Sequence, residues 1–278
     1  MTGKISNIQA VTFDLWETLL YNKKGDDYKR RATRCLRTSE AFGKLGMPVS
    51  VEKVELAFAQ VTSRLATIWE TDEDVSHIEQ LELLVKFVSD GSLSLKNEWV
   101  EELSSAYIKP FFEFPPHLNP CALTVLEELE ELGKHIGLIC NTGLTPGFAL
   151  REFLDSEGAL DFFDFLFFSD EFGLRKPDPR VFQHTARKLK VNPYQVVHVG
   201  DNLRLDVWGA QHAGFKAILF DSKEGKDEEA EADPNSLVAL SRRLGPLEKT
   251  KIVPDKVISS FNLLMDAIKE IDLSMRHG

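Results

Sequence analysis

The run Ile8–Asp14, "IQAVTFD", is short, apolar and strand-like, and the chain offers no second such run until "HIGLIC" at 135–140. A lone buried strand leaves its backbone N–H and C=O groups unpaired, so it needs neighbours. The chain must therefore leave this strand, make a long excursion, and return to it. The excursion has a helical period. "RRATRCLRTSEAFGKLG", "VEKVELAFAQVTSRLATIW", "HIEQLELLVKFV" and "EWVEELSSAYIKPFF" carry apolar residues three and four apart, separated by breaks at Gly46-Met47-Pro48 and Asp90-Gly91-Ser92. About four helices are expected between Tyr28 and Phe114.

After Pro115-Pro116 the pattern alternates. "NPCALTVLEELEELG" reads as a helix capped by Asn119, with Pro120 at its first position and Gly133 past its end. Strands are expected in "HIGLIC", "FFDFLFFSD", "QVVHVGD" and "FKAILF", with helices in "FALREFLDSEGAL", "DPRVFQHTARKLKV", "DVWGAQHAG" and "PDKVISSFNLLMDAIKEI". Alternation of this kind implies right-handed crossovers and a parallel sheet. The fold class is α/β, with a core formed by residues 1–21 and 115–278 and an all-helical insert at 22–114. The acidic stretch from Asp221 to about Ala232 reads as a solvated loop.

Polar residues collect where the predicted strands end. Asp14 ends the first, Cys140-Asn141-Thr142-Gly143 the second, and Gly200-Asp201 the fourth, with Asp206 close behind. Arg175-Lys176-Pro177 follows the third. Ligands of open α/β sheets bind outside these strand ends. Three carboxylates brought together repel unless protons or a cation neutralise them. Oxygen donors with room for water suit Mg²⁺, and a backbone carbonyl near Trp16 could join Asp14, Asp201 and Asp206 as a ligand. Asn141 and nearby N–H groups could hold phosphoryl oxygens, and Lys176 could hold an anion or the attacking carboxylate. Such a carboxylate is a plausible nucleophile for phosphoryl transfer.

The net charge of −11 argues against a nucleic-acid surface. No stretch approaches the ~20 apolar residues of a membrane span. Cys35, Cys121 and Cys140 form no C-x-x-C pair and read as reduced thiols of a cytoplasmic protein. His198, inside an apolar run, reads as a packed core residue.

Four stretches together resemble the haloacid dehalogenase superfamily of hydrolases: "VTFDLWETLL", "GLICNTG", "GLRKPDPRVF" and "VHVGDNLRLDVWGAQHAGF". The resemblance implies a Rossmann-like parallel sheet core with an inserted all-helical cap domain that selects the substrate. It implies Asp14 as nucleophile, and a catalytic and substrate-binding set of Cys140, Asn141, Thr142, Gly143, Trp16 and Lys176. Asp14, Asp201, Asp206 and the Trp16 carbonyl would hold Mg²⁺, as in most members, which are phosphatases.

Two departures stand out. Trp16 replaces the aspartate that usually protonates the leaving oxygen, a loss worth ~10²–10⁴ in rate. Cys140 replaces a hydroxyl residue, and a thiol is a weaker donor. The expected function is a Mg²⁺-dependent phosphatase of a small phosphorylated metabolite, acting through an aspartyl-phosphate at Asp14. Glu17 could supply the missing acid, or the leaving group could need none. The alternatives are a 2-haloacid dehalogenase, whose relatives also replace that aspartate, and a degenerate site that binds without turnover. A dehalogenase needs an arginine for the substrate carboxylate, and Arg30, Arg31 and Arg34 are available. Tyr28, Trp69 and Phe112 are candidate pocket residues, with core packing favoured for the last two. Hinges are expected near Tyr21–Lys24 and Phe114–Pro116.

Overall fold

The computed structural model describes residues 5–222 and 251–276. Within them, β1 (Ala10–Phe13) is the centre of a six-stranded parallel sheet of order β5-β4-β1-β6-β7-β8. Its members are β4 (His135–Cys140), β5 (Phe165–Phe168), β6 (Val196–Gly200), β7 (Lys216–Phe220) and β8 (Lys256–Ile258). β1 lies between β4 and β6, with Phe13 opposite both Leu138 and Val199. It is buried throughout, Thr12 included, and its other three residues are apolar. The chain fills one side of β1 through β4 and β5, then crosses to fill the other. This reversal opens a crevice at the carboxyl ends of β1, β4 and β6.

Apolar residues pack on both sheet faces. One layer gathers Phe13, Leu126, Leu138, Phe153, Phe261 and Ile268, and the other Ile139, Phe167, Phe182, Val207 and Phe215. The insert carries α1 (Asp26–Lys44), α2 (Val51–Trp69), α3 (His77–Val88) and α4 (Val100–Glu113). These helices enclose their own cluster around Phe42, Phe58, Leu84 and Tyr107. Ser50 and Ser76 cap α2 and α3, and Ser76 with Glu79 forms a reciprocal capping box. None of the described helices is long and apolar enough to cross a membrane.

Four local expectations change. A two-stranded antiparallel ribbon, β2 (Leu20–Tyr21) with β3 (His117–Leu118), joins the two segments that enter and leave the insert. Next, α5 (Ala122–Glu131) starts after Pro120, because Asn119 spends its side chain on the Thr18 carbonyl, 2.9 Å away, and Cys121 takes a left-handed turn. "PDKVI" pairs with the open edge of β7 as β8 rather than starting the closing helix, which spans Leu264–Ser274. The helical turn after β6 begins at Leu203 rather than Asp206, as a π-type turn over Leu203–Trp208. The expected acidic loop lies from residue 223 onward outside the described residues.

Candidate active site

Asp14 follows β1 directly, and its N–H donates to the Val199 carbonyl at 2.8 Å. The carboxylate is thereby aimed out of the sheet's carboxyl edge. Oδ1 lies 2.5 Å from Lys176 Nζ, and the Thr18 hydroxyl donates to Oδ2 at 3.2 Å. Thr18 stands four residues along the same turn, a partner the sequence reading did not identify.

Lys176 also reaches Asp206 Oδ1 at 2.7 Å and is itself only 1 % exposed. Asp206 is held on every side. His198 Nε2 lies 3.2 Å from Oδ1, and the Asn202 N–H donates to Oδ2 at 2.9 Å. Burial lowers the basicity of His198, against the pull of Asp206. In a neutral ring whose Nε2 donates to Asp206, Nδ1 accepts from the Thr12 hydroxyl, 2.9 Å away. His198 is therefore buried, as expected, but it also orients Asp206. Gly200 makes room for this carboxylate, since an added Cβ would sit 2.3 Å from Asp206 Cγ.

Burial, opposed by Lys176 and reinforced by Asp206, pushes the Asp14 carboxyl up to about 6. Burial would also raise Asp206, but Lys176 and His198 overcome it and hold that carboxyl well below the usual range. Lys176 is pulled both ways: burial disfavours its charge, yet the two carboxylates raise its basicity above the ordinary lysine value. Asp14, Asp201 and Asp206 can each present an oxygen within 4.8 Å of the others. Three carboxylates against one ammonium leave a formal charge of −2. A hard divalent cation with oxygen ligands and retained waters suits that set.

The other anticipated residues divide. Asn141 lines the cavity, but its side chain clamps the Lys176 backbone, donating to its carbonyl at 2.9 Å and accepting from its N–H at 2.8 Å. The Thr142 N–H donates to Ser169 Oγ at 2.8 Å, and its hydroxyl accepts from the Asp170 N–H. Both polar side chains therefore hold loops together. Gly143 also lines the cavity, and its N–H has no partner among the described residues. Cys140 is fully buried in the core and lines no part of the cavity, and burial pushes its thiol far up. A thiol there fills space. Trp16 lines the cavity with its ring edge-on to Phe111, centroids 6.2 Å apart, and Glu17 lies beside it at φ 59°.

The cavity encloses about 150 Å³. Its roof comes from the insert through Arg30, Arg34 and Trp69. Arg31 is exposed, as is Tyr28 at 76 %, and neither reaches the cavity; Phe112 packs against the core. The insert also touches the loop before Lys176. Asp74 N–H donates to the Gly173 carbonyl and Arg175 N–H to the Asp72 carbonyl, at 3.2 and 3.0 Å. Asp74 Oδ2 accepts from Ser169 Oγ at 2.5 Å and faces Arg175 Nη1 at 3.3 Å. None of Asp72, Asp74 and Ser169 was singled out from the sequence, because their partners are distant in the chain.

The profile of the haloacid dehalogenase-like hydrolases matches residues 8–214. A glyceraldehyde 3-phosphate phosphatase of Methanopyrus kandleri is 26% identical over 271 residues, covering 95% of this chain and 98% of its own. A phosphoserine phosphatase of Thermus thermophilus is 33% identical over 147 residues, 53% of this chain and 57% of its own. Among solved structures, a 2-haloacid dehalogenase from Pseudomonas syringae shares the fold with a TM-score of 0.63 and 24% identity, over 95% of this chain and 99% of its own. With a matching profile over most of its length and β1 at the centre of a parallel sheet, the chain belongs to the haloacid dehalogenase-like hydrolase family.

Proposed function

We propose that the protein is a Mg²⁺-dependent phosphohydrolase of a small phosphorylated metabolite, with Asp14 as nucleophile. The observation that carries this reading is the convergence of Asp14, Asp201 and Asp206 around Lys176. The relatives named as phosphatases support it. Asp14, Asp201, Asp206 and the Trp16 carbonyl would hold Mg²⁺, which offsets the charge of the phosphoryl oxygens when bound. The insert, residues 22–114, acts as the cap over the cavity. Free cysteines at 35, 121 and 140 fit a reducing, cytoplasmic setting.

Asp14 Oδ attacks phosphorus while the bond to the leaving oxygen breaks, giving an aspartyl phosphate and the leaving group as its oxyanion, which takes any proton it needs from water. Water then attacks the same phosphorus, releasing phosphate and regenerating the carboxylate. Lys176 keeps Asp14 ionised and oriented, and the Gly143 N–H is available to a phosphoryl oxygen. Trp16 supplies no transferable proton, so substrates with weakly basic leaving oxygens, such as acyl phosphates, turn over fastest. Incubation with acetyl phosphate, with Mg²⁺ and then with EDTA, tests the reading. Phosphate release that needs Mg²⁺ and disappears in Asp14→Asn supports it; no release under any condition removes it.

Trp16 and the cavity arginines favour a second reading, a 2-haloacid dehalogenase, in which Asp14 attacks carbon and halide departs without a proton. Asp201 and Asp206 count against it, since attack on a neutral carbon needs no cation site. Halide released from 2-chloropropionate in EDTA would decide for it.

A further inference from the structure

Three guanidinium groups line the cavity, and two of them have anionic partners. Arg175 faces Asp74 at 3.3 Å and stacks over Trp69, 4.1 Å from the ring centroid. Arg30 lies 3.6 Å from Asp27, and its Nε and Nη2 donate to the Phe114 carbonyl and Asn22 Oδ1. Arg34 differs. It is 5 % exposed, its Nε donates to the Tyr107 carbonyl at 2.8 Å, and its guanidinium lies 5.3 Å from the Tyr107 ring centroid. No carboxylate lies within ion-pair distance of it among the described residues, and its two Nη groups make no hydrogen bond to them. Asp27 also lines the cavity and acts on Arg34 at longer range, but it pairs with Arg30, so Arg34 has no ion pair of its own. A buried charge without a close partner is costly, so such groups are held for a ligand or are paired.

The cavity is therefore polarised. Its floor, at Asp14, Asp201, Asp206 and Lys176, is net negative and suits a cation with a phosphoryl group. Its roof presents an unpaired guanidinium fork, whose geometry matches carboxylate or phosphate. We infer that Arg34 binds a second anionic group on the substrate, so that the substrate is a small phosphorylated compound whose other end carries a carboxylate or a second phosphate. Arg30, one helical turn away on the same face of α1, borders this subsite. The inference rests on the phosphohydrolase reading for the floor and on Arg34 alone for the roof.

The test uses stable phosphonates and needs no turnover. Trp16 and Trp69 line the cavity, so tryptophan fluorescence reports binding, with calorimetry as a second readout. The probes are 3-phosphonopropionate, its amide, and ethane-1,2-diphosphonate, all with Mg²⁺. In the wild type, the acid binds about 30-fold or more tightly than the isosteric amide, the size of effect for a desolvated charge pair. Arg34→Met brings that ratio below about 3-fold, and Arg34→Lys recovers part of it. Tighter binding of the diphosphonate than of the acid assigns the site to a second phosphate; the reverse assigns a carboxylate. Equal affinity of acid and amide in the wild type overturns the inference, as does a preference that survives in Arg34→Met, or no binding of either. Acetyl phosphate has no second anion, so its hydrolysis reads the phosphohydrolase reading separately.

Discussion

At the scale of single residues, Asp14, Lys176 and Asp206 form one charged unit whose members are not interchangeable. Asp206 is locked by His198 and the Asn202 N–H and stays ionised. Asp14 takes hydrogen bonds from Thr18 and Lys176, and burial, reinforced by Asp206, raises its carboxyl. Trp16 stands two residues after Asp14, where the family resemblance leads one to expect a proton-donating aspartate. Placing a carboxyl there in Trp16→Asp should raise kcat/KM on alkyl phosphates relative to acetyl phosphate by about 10-fold or more, because only alkyl leaving groups need the proton. The same change removes the edge contact with Phe111 and should lower the melting temperature. A falling or unchanged ratio would show that Trp16 is required for another reason.

At the scale of elements, two contacts tie distant segments of the chain together. The loop between α2 and α3 straps the insert onto residues 173–175, directly before Lys176. Asp74 is its centre, also accepting from Trp69 Nε1 at 3.0 Å. Asp74→Ala leaves Arg175 buried and unpaired, a loss of about 3–5 kcal/mol in urea unfolding. Asp74→Ala with Arg175→Met should recover part of it, whereas additive losses would mean that the pair is not coupled. At the sheet's other end, Asp272 Oδ1 accepts N–H bonds from Ser6, Asn7 and Ile8 at 3.0, 2.6 and 2.9 Å, fixing the entry to β1. Burial alone would raise the Asp272 carboxyl, but these N–H groups and Arg276 overcome it and hold it below the ordinary value. A depressed carboxyl stabilises the fold above its unfolded value of about 4 and loses that contribution as pH falls through the folded value. The stability gap between wild type and Asp272→Asn, about 1–3 kcal/mol, should be constant above about pH 5 and shrink below about pH 4. A gap that widens on acidification would contradict this.

For the whole molecule, the parallel sheet, the helical insert and the gathering of Asp14, Lys176, Asp201 and Asp206 were legible in the sequence, because buried parallel strands are continuous apolar runs that end where ligands bind. What was not legible has physical causes. β2 and β3 are two residues each, too short to carry a period, and β8 hides its three residues at the head of a helical pattern. The side chains of Asn141 and Thr142 turn to loop partners that only the tertiary fold supplies. Arg30 and Arg34 share the buried face of α1 while Arg31 does not, and the sequence cannot say which face meets the sheet. The resulting molecule sets an acidic floor on the sheet's edge against a basic roof on the insert. The role proposed for Asp14 is that of the nucleophile that accepts the phosphoryl group. Rapid acid quench of the protein with acetyl phosphate and Mg²⁺, followed by mass spectrometry of peptides, tests this directly. The account predicts a phosphoryl group on the Asp14 peptide, absent in Asp14→Asn and absent with EDTA; phosphate released with no label on that peptide, or label on another residue, would contradict it.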